Sequence, residues 1–132
     1  MILQTIARYR PNQGVIDRIT FRQASASKLP FEDGAFDAVV SNLTFHEVGD
    51  AKDKREVIHE ALRVLRKGGK FTFQDLFLMK RYYGLPGDLV NAIIGWEISD
   101  VEFIDMHDER LIPRVLKLPF MVGTMGIIRG KK

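Results

Sequence analysis

The feature that most constrains the fold is a strand–helix–strand sequence in the middle of the chain. Residues 36–43, FDAVVSNL, are apolar on consecutive positions, which predicts a strand buried on both faces. Residues 70–77, KFTFQDLF, are rich in residue types that favour strands. A helical pattern lies between them, and the connections are short. Two strands joined by a helix in this way form a parallel βαβ unit, so the sequence predicts an α/β fold.

The helix of this unit is predicted over residues 51–66. Apolar residues recur at helical spacing along it, and charged residues occupy the other positions. Asp50 is placed to cap the amino end, with Asp53 in the first turn. Gly68 and Gly69 are expected to end the helix. One face of this helix should therefore pack on the sheet.

Less regular patterns predict further elements on both sides of the unit. Residues 2–9 have apolar positions at helical spacing, and residues 19–24 alternate as in a half-buried strand. Residues 88–96 suggest a short helix. Residues 101–106 and 120–128 suggest two further strands. These elements can share one hydrophobic core.

Length and composition favour a single globular domain over residues 1–132. Hydrophobic residues make up 45% of the chain and charged residues 28%, which is ordinary for such a domain. The absence of cysteine excludes a disulfide framework and a thiolate metal site, and it is compatible with the reducing cytoplasm, where we expect the protein. No apolar run approaches the roughly 20 residues needed to span a bilayer, so no membrane partner is expected.

The sequence gives little support for nucleic-acid or metal binding. Much of the net charge of +3 comes from residues 129–132, which we interpret as a solvated basic end, since no nucleic-acid-binding motif accompanies it. His46, His59 and His107 lie near acidic residues, but none of the possible pairs has the helical spacing of a zinc site. We therefore expect no metal.

Two stretches carry a recognisable set of motifs. Residues 29–48 read LPFEDGAFDAVVSNLTFHEV, and residues 60–77 read EALRVLRKGGKFTFQDLF. In this order and spacing they resemble the class I S-adenosylmethionine-dependent methyltransferases, especially the small-molecule branch that includes the ubiquinone/menaquinone biosynthesis enzymes. The resemblance covers residues 15–77 most clearly. It implies a truncated Rossmann-like methyltransferase fold, with a mostly parallel sheet of about five strands and an antiparallel carboxyl-terminal strand.

The resemblance also implies S-adenosylmethionine as cofactor and a small molecule as methyl acceptor. Ser25 stands where the family usually has an Asp that accepts from the adenine amino group, and the Ala26 backbone N–H would meet the adenine ring. Asn42, Leu43 and Thr44 would line the methionine end and the methyl-transfer site. The alternative for these three residues is a polar loop that satisfies its own backbone.

Two further residues have open alternatives. His46 would position an acceptor or take its proton as a catalytic residue, or it would be a loop residue packed on the edge of the sheet. Asp75 would face the substrate pocket, or it would cap the segment that follows. Tyr82, Tyr83 and Trp96 occupy the region of the family's variable substrate lid, and packing in the core or in a dimer is the prediction for them.

The departures from the family pattern lead to a second functional hypothesis. The glycine-rich turn and the ribose-binding acidic residue have no counterpart before residue 19, so half of the cofactor site is expected to be missing. One hypothesis is a partial methyltransferase domain, whose missing half comes from a separate amino-terminal chain or from a longer gene product in which Met1 is an internal residue. The other is a catalytically inactive remnant that acts as a dimeric binding or regulatory module.

The same departure affects the sheet. Without the family's first two strands, the strand at residues 36–43 has an uncovered edge. Either the strand at residues 19–24 moves in beside it, or two chains pair or swap strands across this edge as a homodimer.

Overall fold

The protein folds around the predicted βαβ unit. In the computed structural model, residues 19–108, 110, 112–118 and 122–132 are described, and the predicted helix over residues 2–9 lies outside them. The elements are β1 (Phe36–Asn42), α1 (Lys54–Arg63), β2 (Leu65–Asp75), α2 (Lys80–Tyr83), α3 (Pro86–Gly95), β3 (Asp100–Asp105) and β4 (Gly126–Lys131), with short 3-10 turns at Phe45–Glu47 and Arg114–Lys117.

The described strands form one sheet of four strands in the order β1-β2-β4-β3. β1 and β2 are parallel, and β4 runs antiparallel to both β2 and β3. The α/β class, the parallel βαβ unit and the antiparallel last strand are thus confirmed. β1, α3 and β3 lie within two residues of their predicted bounds, whereas β4 begins six residues later than predicted.

The predicted strand at residues 19–24 is wrong. These residues form no regular element, and Ile19 and Phe21 are 42% and 63% exposed. Alternation of side chains stabilises a strand only when a neighbouring strand pairs with its backbone, and no described strand does so here. The possibility that this segment moves in beside β1 is therefore also wrong.

α1 is shorter than predicted at both ends. Its cap is Asp53, whose side chain accepts from the Arg55 backbone N–H at 2.9 Å, so Asp50 is not the capping residue. The helix ends at Arg63, because Leu65 already belongs to β2 and is fully buried there. The apolar face of α1 is buried as predicted, and consists of Val57, Ile58, Ala61 and Leu62.

The two glycines expected to end the helix instead form a bulge at the start of β2. The register with β1 shifts between Phe36 and Ala38. Gly68 has a φ of +78°, which favours glycine, and a Cβ on Gly69 would lie 2.5 Å from Cδ1 of Leu65. The structure therefore requires glycine at positions 68 and 69, but for a bulge in β2 and not, as predicted, for the end of the helix.

The hydrophobic core lies on one face of the sheet, where α1 and α3 pack. It includes Phe71 and Phe73 from β2, Ile128 from β4, and Leu89 and Ile93 from α3. The other face is open in the described part of the chain. Val40 of β1 is 80% exposed there, so the prediction that this strand is buried on both faces is wrong.

Candidate active site at the carboxyl ends of the first two strands

The parallel pairing of β1 and β2 brings their carboxyl ends together. The backbone N–H of Leu43, just after β1, donates to the carbonyl of Gln74 near the end of β2 at 2.8 Å. In open α/β sheets, ligands bind beyond the carboxyl ends of such strands. The segments that follow β1 and β2 are therefore where a functional site is expected.

His46 and Asp75 meet at this edge. Nδ1 of His46 lies 2.6 Å from Oδ1 of Asp75, although 29 positions separate the two residues in sequence. The short 3-10 turn after β1 presents the ring, and Phe45 fixes that turn by packing edge-on against Phe73, with ring centroids 5.0 Å apart. The sequence alone could not reveal that Asp75 is the partner of His46, because Asp75 lies at the end of the neighbouring strand.

Asp75 is completely buried, and the protein supplies its hydrogen bonds. Its carboxylate accepts from the backbone N–H groups of Phe45 at 2.9 Å and Leu76 at 2.7 Å, in addition to the His46 contact. Its contact with the Leu76 N–H agrees with the predicted alternative that Asp75 caps the segment that follows. The alternative that Asp75 faces a substrate pocket stays a prediction. A buried carboxylate with fixed donors holds an imidazole in one orientation and one tautomer.

Two tyrosines lie beside this pair. The ring of Tyr82 lies 5.9 Å from the His46 ring. The Tyr83 side chain is buried, as predicted, and its hydroxyl makes no hydrogen bond within the described residues. Burial, together with the nearby Asp75 carboxylate, raises the pKa of Tyr83 well above its usual range, so the phenol stays neutral.

The outer nitrogen of His46 points toward the surface. Nε2 lies 3.0 Å from Oε1 of Glu47, whose side chain is 63% exposed. The His46 side chain itself is 13% exposed. One ring nitrogen is thus directed at a buried carboxylate and the other at an exposed carboxylate. Nε2 can exchange a proton with an acceptor molecule once that molecule displaces the Glu47 side chain.

Asn42, Leu43 and Thr44, the predicted cofactor residues, form the connection between β1 and the His46 turn. The Thr44 hydroxyl donates to the Asn42 carbonyl at 3.1 Å, as the loop alternative requires. Leu43 has a φ of +51°, an unusual backbone conformation for a residue with a side chain. Such strain is concentrated at functional sites, so the connection keeps both interpretations open.

Ser25 is engaged by a residue that sequence reasoning did not single out for binding. Its hydroxyl donates to Oδ2 of Asp50 at 2.8 Å, and the Ser27 hydroxyl donates to the same oxygen at 2.7 Å. These hydrogen bonds, that of Ser27 first and then that of Ser25, lower the pKa of Asp50. Position 25 therefore lacks the carboxylate that the family usually has there, but Asp50 places a carboxylate beside Ser25.

The Ser25 loop and the His46 turn share an anchor in the core. Ala26 is buried in the same hydrophobic cluster as Phe45, Val48 and Ala51. Within the described residues, no hydrogen bond joins Ser25 or Ala26 to Asn42, Leu43 or Thr44. The fold thus positions the two predicted groups on one core without joining them directly.

The site chemistry fits part of an adenosyl cofactor. The Asp50 carboxylate lies beside Ser25, with one of its oxygens held by two serine hydroxyls, and a carboxylate suits an amino or hydroxyl donor of a ligand. The described residues contain no group of three or more His, Cys, Asp or Glu side chains that could hold a metal ion. None of the described helices is long and apolar enough to cross a membrane.

Fold and site together define a class of protein. The strand order β1-β2-β4-β3, with an antiparallel fourth strand, matches strands four, five, seven and six of the class I methyltransferase fold. A family model described as a methyltransferase domain matches residues 2–73. The chain belongs to this methyltransferase domain family, whose cofactor is S-adenosylmethionine.

Two methyltransferases are similar to part of the sequence. The chain is 38% identical over 74 residues to 27-O-demethylrifamycin SV methyltransferase of Amycolatopsis mediterranei, a match that covers 56% of this chain and 26% of the relative. It is 37% identical over 59 residues to the ubiquinone/menaquinone biosynthesis C-methyltransferase of Pectobacterium carotovorum, covering 45% of this chain and 22% of that enzyme. The chain therefore spans about a quarter of the length of these two relatives.

Solved structures agree with the fold. An S-adenosylmethionine-dependent methyltransferase from Mesorhizobium loti superposes with a TM-score of 0.62 at 15% identity, covering 93% of this chain and 72% of that one. A methyltransferase from Methanosarcina mazei gives a TM-score of 0.54 at 16% identity, covering 84% and 66%. At this level of identity the comparison shows the shared fold.

Proposed function

We propose that this chain forms the acceptor-side part of an S-adenosylmethionine-dependent methyltransferase that acts on a small molecule with a proton-bearing nucleophile, such as a hydroxyl or an amine. The observation that carries the proposal is the His46–Asp75 pair, with its 2.6 Å contact at the carboxyl ends of β1 and β2. Methyl transfer needs close alignment of donor and acceptor, and a nucleophile that carries a proton also needs a base.

In this mechanism His46 is the base. Asp75 accepts the Nδ1–H, so the lone pair of the neutral ring lies on Nε2, the atom that faces outward. Nε2 takes the proton of the acceptor as its oxygen or nitrogen bonds to the methyl carbon. The resulting imidazolium is stabilised by Asp75 on one side and by Glu47 on the other.

When bound, S-adenosylmethionine supplies a methyl group on a positively charged sulfur that leaves as a neutral thioether. We assign its adenine end to the Ser25 loop, with the Ala26 backbone N–H and the Asp50 carboxylate as partners. Asn42, Leu43 and Thr44 are assigned to the methionine end. Support comes from the two serine hydroxyls that fix Asp50 and from the position of Leu43 and Thr44 directly before the 3-10 turn that carries His46.

A second candidate is a methyltransferase-like binding module without activity. The observation that favours it is Ser25, which replaces the family's usual Asp and uses its hydroxyl proton on Asp50. The two candidates differ in cofactor binding. A module without activity does not need to bind S-adenosylmethionine, whereas the enzyme does.

Calorimetric titration of the purified chain with S-adenosylmethionine and S-adenosylhomocysteine tests the proposal. At about 100 times its Kd, a ligand should stabilise the fold by about 2.7 kcal/mol, which a parallel thermal unfolding experiment detects. Binding by the wild-type chain and by His46→Gln, with turnover of phenols or amines by the wild-type chain alone, supports the enzyme. Absence of binding at millimolar ligand would mean that this chain alone holds only half of a cofactor site, which leaves either a missing amino-terminal partner or the inactive module.

The His46→Gln variant is the matched control for the chemistry. Gln lacks a basic nitrogen, and His46 is not assigned to the cofactor, so the variant should bind S-adenosylhomocysteine like the wild-type chain. Its transfer rate should fall by about 10²–10⁴-fold, the usual contribution of a general base. Equal transfer rates in the wild-type chain and in His46→Gln would show that solvent takes the proton of the acceptor and that His46 has no part in the mechanism.

A further inference from the structure

One edge of β1 has backbone groups without a strand partner in the described part of the chain. The Leu43 N–H donates to β2, and the direction of the backbone groups alternates along a strand. The N–H and C=O groups of Ala38, Val40 and Asn42 therefore point away from β2. These groups can pair with another strand.

Nothing in the sequence of β1 protects this edge. Natural edge strands carry Lys, Pro or inward-pointing charges that block pairing. Residues 36–43 contain neither Lys, Arg nor Pro, and Asp37 is their one charged residue. Val40 is 80% exposed, and Phe36 and Leu43 are 37% and 38% exposed. An edge that is this apolar needs an occupant.

The edge is complementary to itself. In an antiparallel arrangement with Val39 opposite Val39, the outward-directed Ala38 of one copy faces the outward-directed Val40 of the other. Each pair that points outward thus forms hydrogen bonds, and two exposed apolar side chains cover each other. Asp37 lies opposite Ser41, so no like charges meet. This register pairs residues 37–41 of the two copies, since the N–H of Phe36, opposite Asn42, already donates to the Val64 carbonyl of its own chain.

We propose that β1 pairs antiparallel with β1 of a second copy of this chain, centred on Val39. The pairing joins two four-stranded sheets into one sheet of eight strands. It also places Phe36 of the second copy opposite Asn42, at the entrance to the connection that leads to His46. The proposal does not depend on cofactor binding and is tested without a cofactor.

Single cysteines test both the pairing and its register. The chain has no cysteine, so each variant carries one thiol. In the proposed dimer the two copies of Val39 form a non-hydrogen-bonded pair with Cα atoms about 4.5 Å apart, within the range of about 4.4–6.8 Å that a disulfide spans. The two copies of Val40 are diagonal neighbours about 7–8 Å apart, which is too far.

We expect Val39→Cys to form a disulfide-linked dimer with oxidised glutathione and Val40→Cys to remain largely unlinked on a non-reducing gel. Equal linking of both variants would indicate random collision and would overturn the proposal. Linking of Val40→Cys alone would overturn the register. Absence of linking in both would overturn the pairing.

The mass in solution provides an independent measurement. Light scattering of the wild-type chain should give twice 15.1 kDa. Val40→Pro removes one outward N–H without touching the bonds to β2, and should give the monomer with an unchanged circular dichroism spectrum. Val40→Thr keeps the N–H and the branched shape, and should remain a dimer.

A wild-type monomer at all concentrations would overturn the proposal. It would mean that residues 1–18 of the same chain, or a separate polypeptide, cover the edge. A folded Val40→Pro dimer would also overturn it, because the contact would then lie elsewhere.

Discussion

Nδ1 of His46 lies 2.6 Å from Oδ1 of Asp75, and the carboxylate is fully buried. Burial of a carboxylate is unfavourable unless donors surround it, and Asp75 has two backbone N–H groups besides the imidazole. The fold therefore keeps the buried Asp75 carboxylate, which is unfavourable to desolvate, at the carboxyl edge of the sheet. A surface loop histidine needs no such partner, which is why the pair favours a functional role.

Asp75→Asn should weaken this arrangement. The amide has nearly the same shape as the carboxylate, but its NH₂ group replaces one of the two oxygens. An NH₂ group cannot accept the hydrogen bonds that this oxygen accepts in the wild-type chain. The free energy of unfolding should fall by about 1–3 kcal/mol in urea denaturation, because a buried donor loses its acceptor. In alkaline solution, ¹⁵N chemical shifts of the ring should show that the Nδ1–H tautomer of His46 is no longer favoured.

The matched control for that experiment is Glu47→Gln. Glu47 contacts the same ring from the solvent side, so its replacement should leave both the stability and the tautomer of His46 nearly unchanged. If Asp75→Asn and Glu47→Gln had equal effects, the buried carboxylate would have no special part in orienting the ring.

Asp50→Asn should weaken binding of adenosyl ligands if the proposed adenine assignment is correct. The charged oxygen would be replaced by a neutral amide, and hydrogen bonds to charged groups are roughly twice as strong. We expect the Kd of S-adenosylhomocysteine to rise about fivefold to tenfold in calorimetry. Adenosine and purine riboside, which lacks the amino group, should be discriminated less well by the variant than by the wild-type chain.

Glu102→Gln is the control for the change in net charge. Glu102 lies on the open face of the sheet, paired with Arg129 at 2.7 Å, and it is outside the proposed site. Its replacement should leave the Kd unchanged. An equal loss of affinity in both variants would attribute the effect to overall charge, and an unchanged Kd in Asp50→Asn would remove Asp50 from the site.

Sequence patterns predicted the elements whose stability is local or shared with a near neighbour. β1 and β2 have apolar runs, and the amphipathic helix between them dictates a parallel pair. The strand at residues 19–24 failed because its pattern was correct but its pairing partner is not among the described strands. Long-range pairing, unlike periodicity, cannot be deduced from a short window.

The site shows the same division. His46, Asn42 and Thr44 could be proposed because they lie at or just beyond the carboxyl end of a predicted strand, where open α/β sheets bind ligands. The partners of His46 and Ser25 were missed as partners, because 29 and 25 positions separate them in sequence. The cap at Asp53 and the bulge at Gly68 were misassigned for a local reason: Asp and Gly serve helix ends and irregular strands equally well.

The link between Glu60 and Arg63 should make stability depend on pH. Glu60 accepts from the Leu29 backbone N–H at 2.7 Å and from Arg63 at 2.8 Å, and its side chain is 15% exposed. These contacts, that of Arg63 first, lower the pKa of Glu60 in the folded protein. The unfolded chain therefore binds the proton more readily, and stability from this group is complete above the ordinary pKa of about 4.3.

That contribution should be lost as the pH falls through the lowered folded-state pKa of Glu60. At pH 7, Glu60→Gln should lower the free energy of unfolding by about 1–2 kcal/mol, and the difference from the wild-type chain should shrink below about pH 4. Asp37→Asn, which breaks an exposed pair with Arg66, should cost less than about 0.5 kcal/mol. A difference that stays constant with pH would assign the Glu60 effect to packing.

Gly69→Ala should destabilise the protein because the bulge at the start of β2 has no room for a side chain. A Cβ there would lie 2.9 Å from the backbone oxygens of Asp37 and Arg66, which cannot rotate away as the Leu65 side chain can. The expected cost is about 1–3 kcal/mol in urea denaturation. Gly87→Ala is the matched control, since no atom lies within 4 Å of its added Cβ and the residue is in α3. It should stabilise by about 0.5–1 kcal/mol, so equal effects at the two glycines would contradict the close approach of β1 and β2 at the bulge.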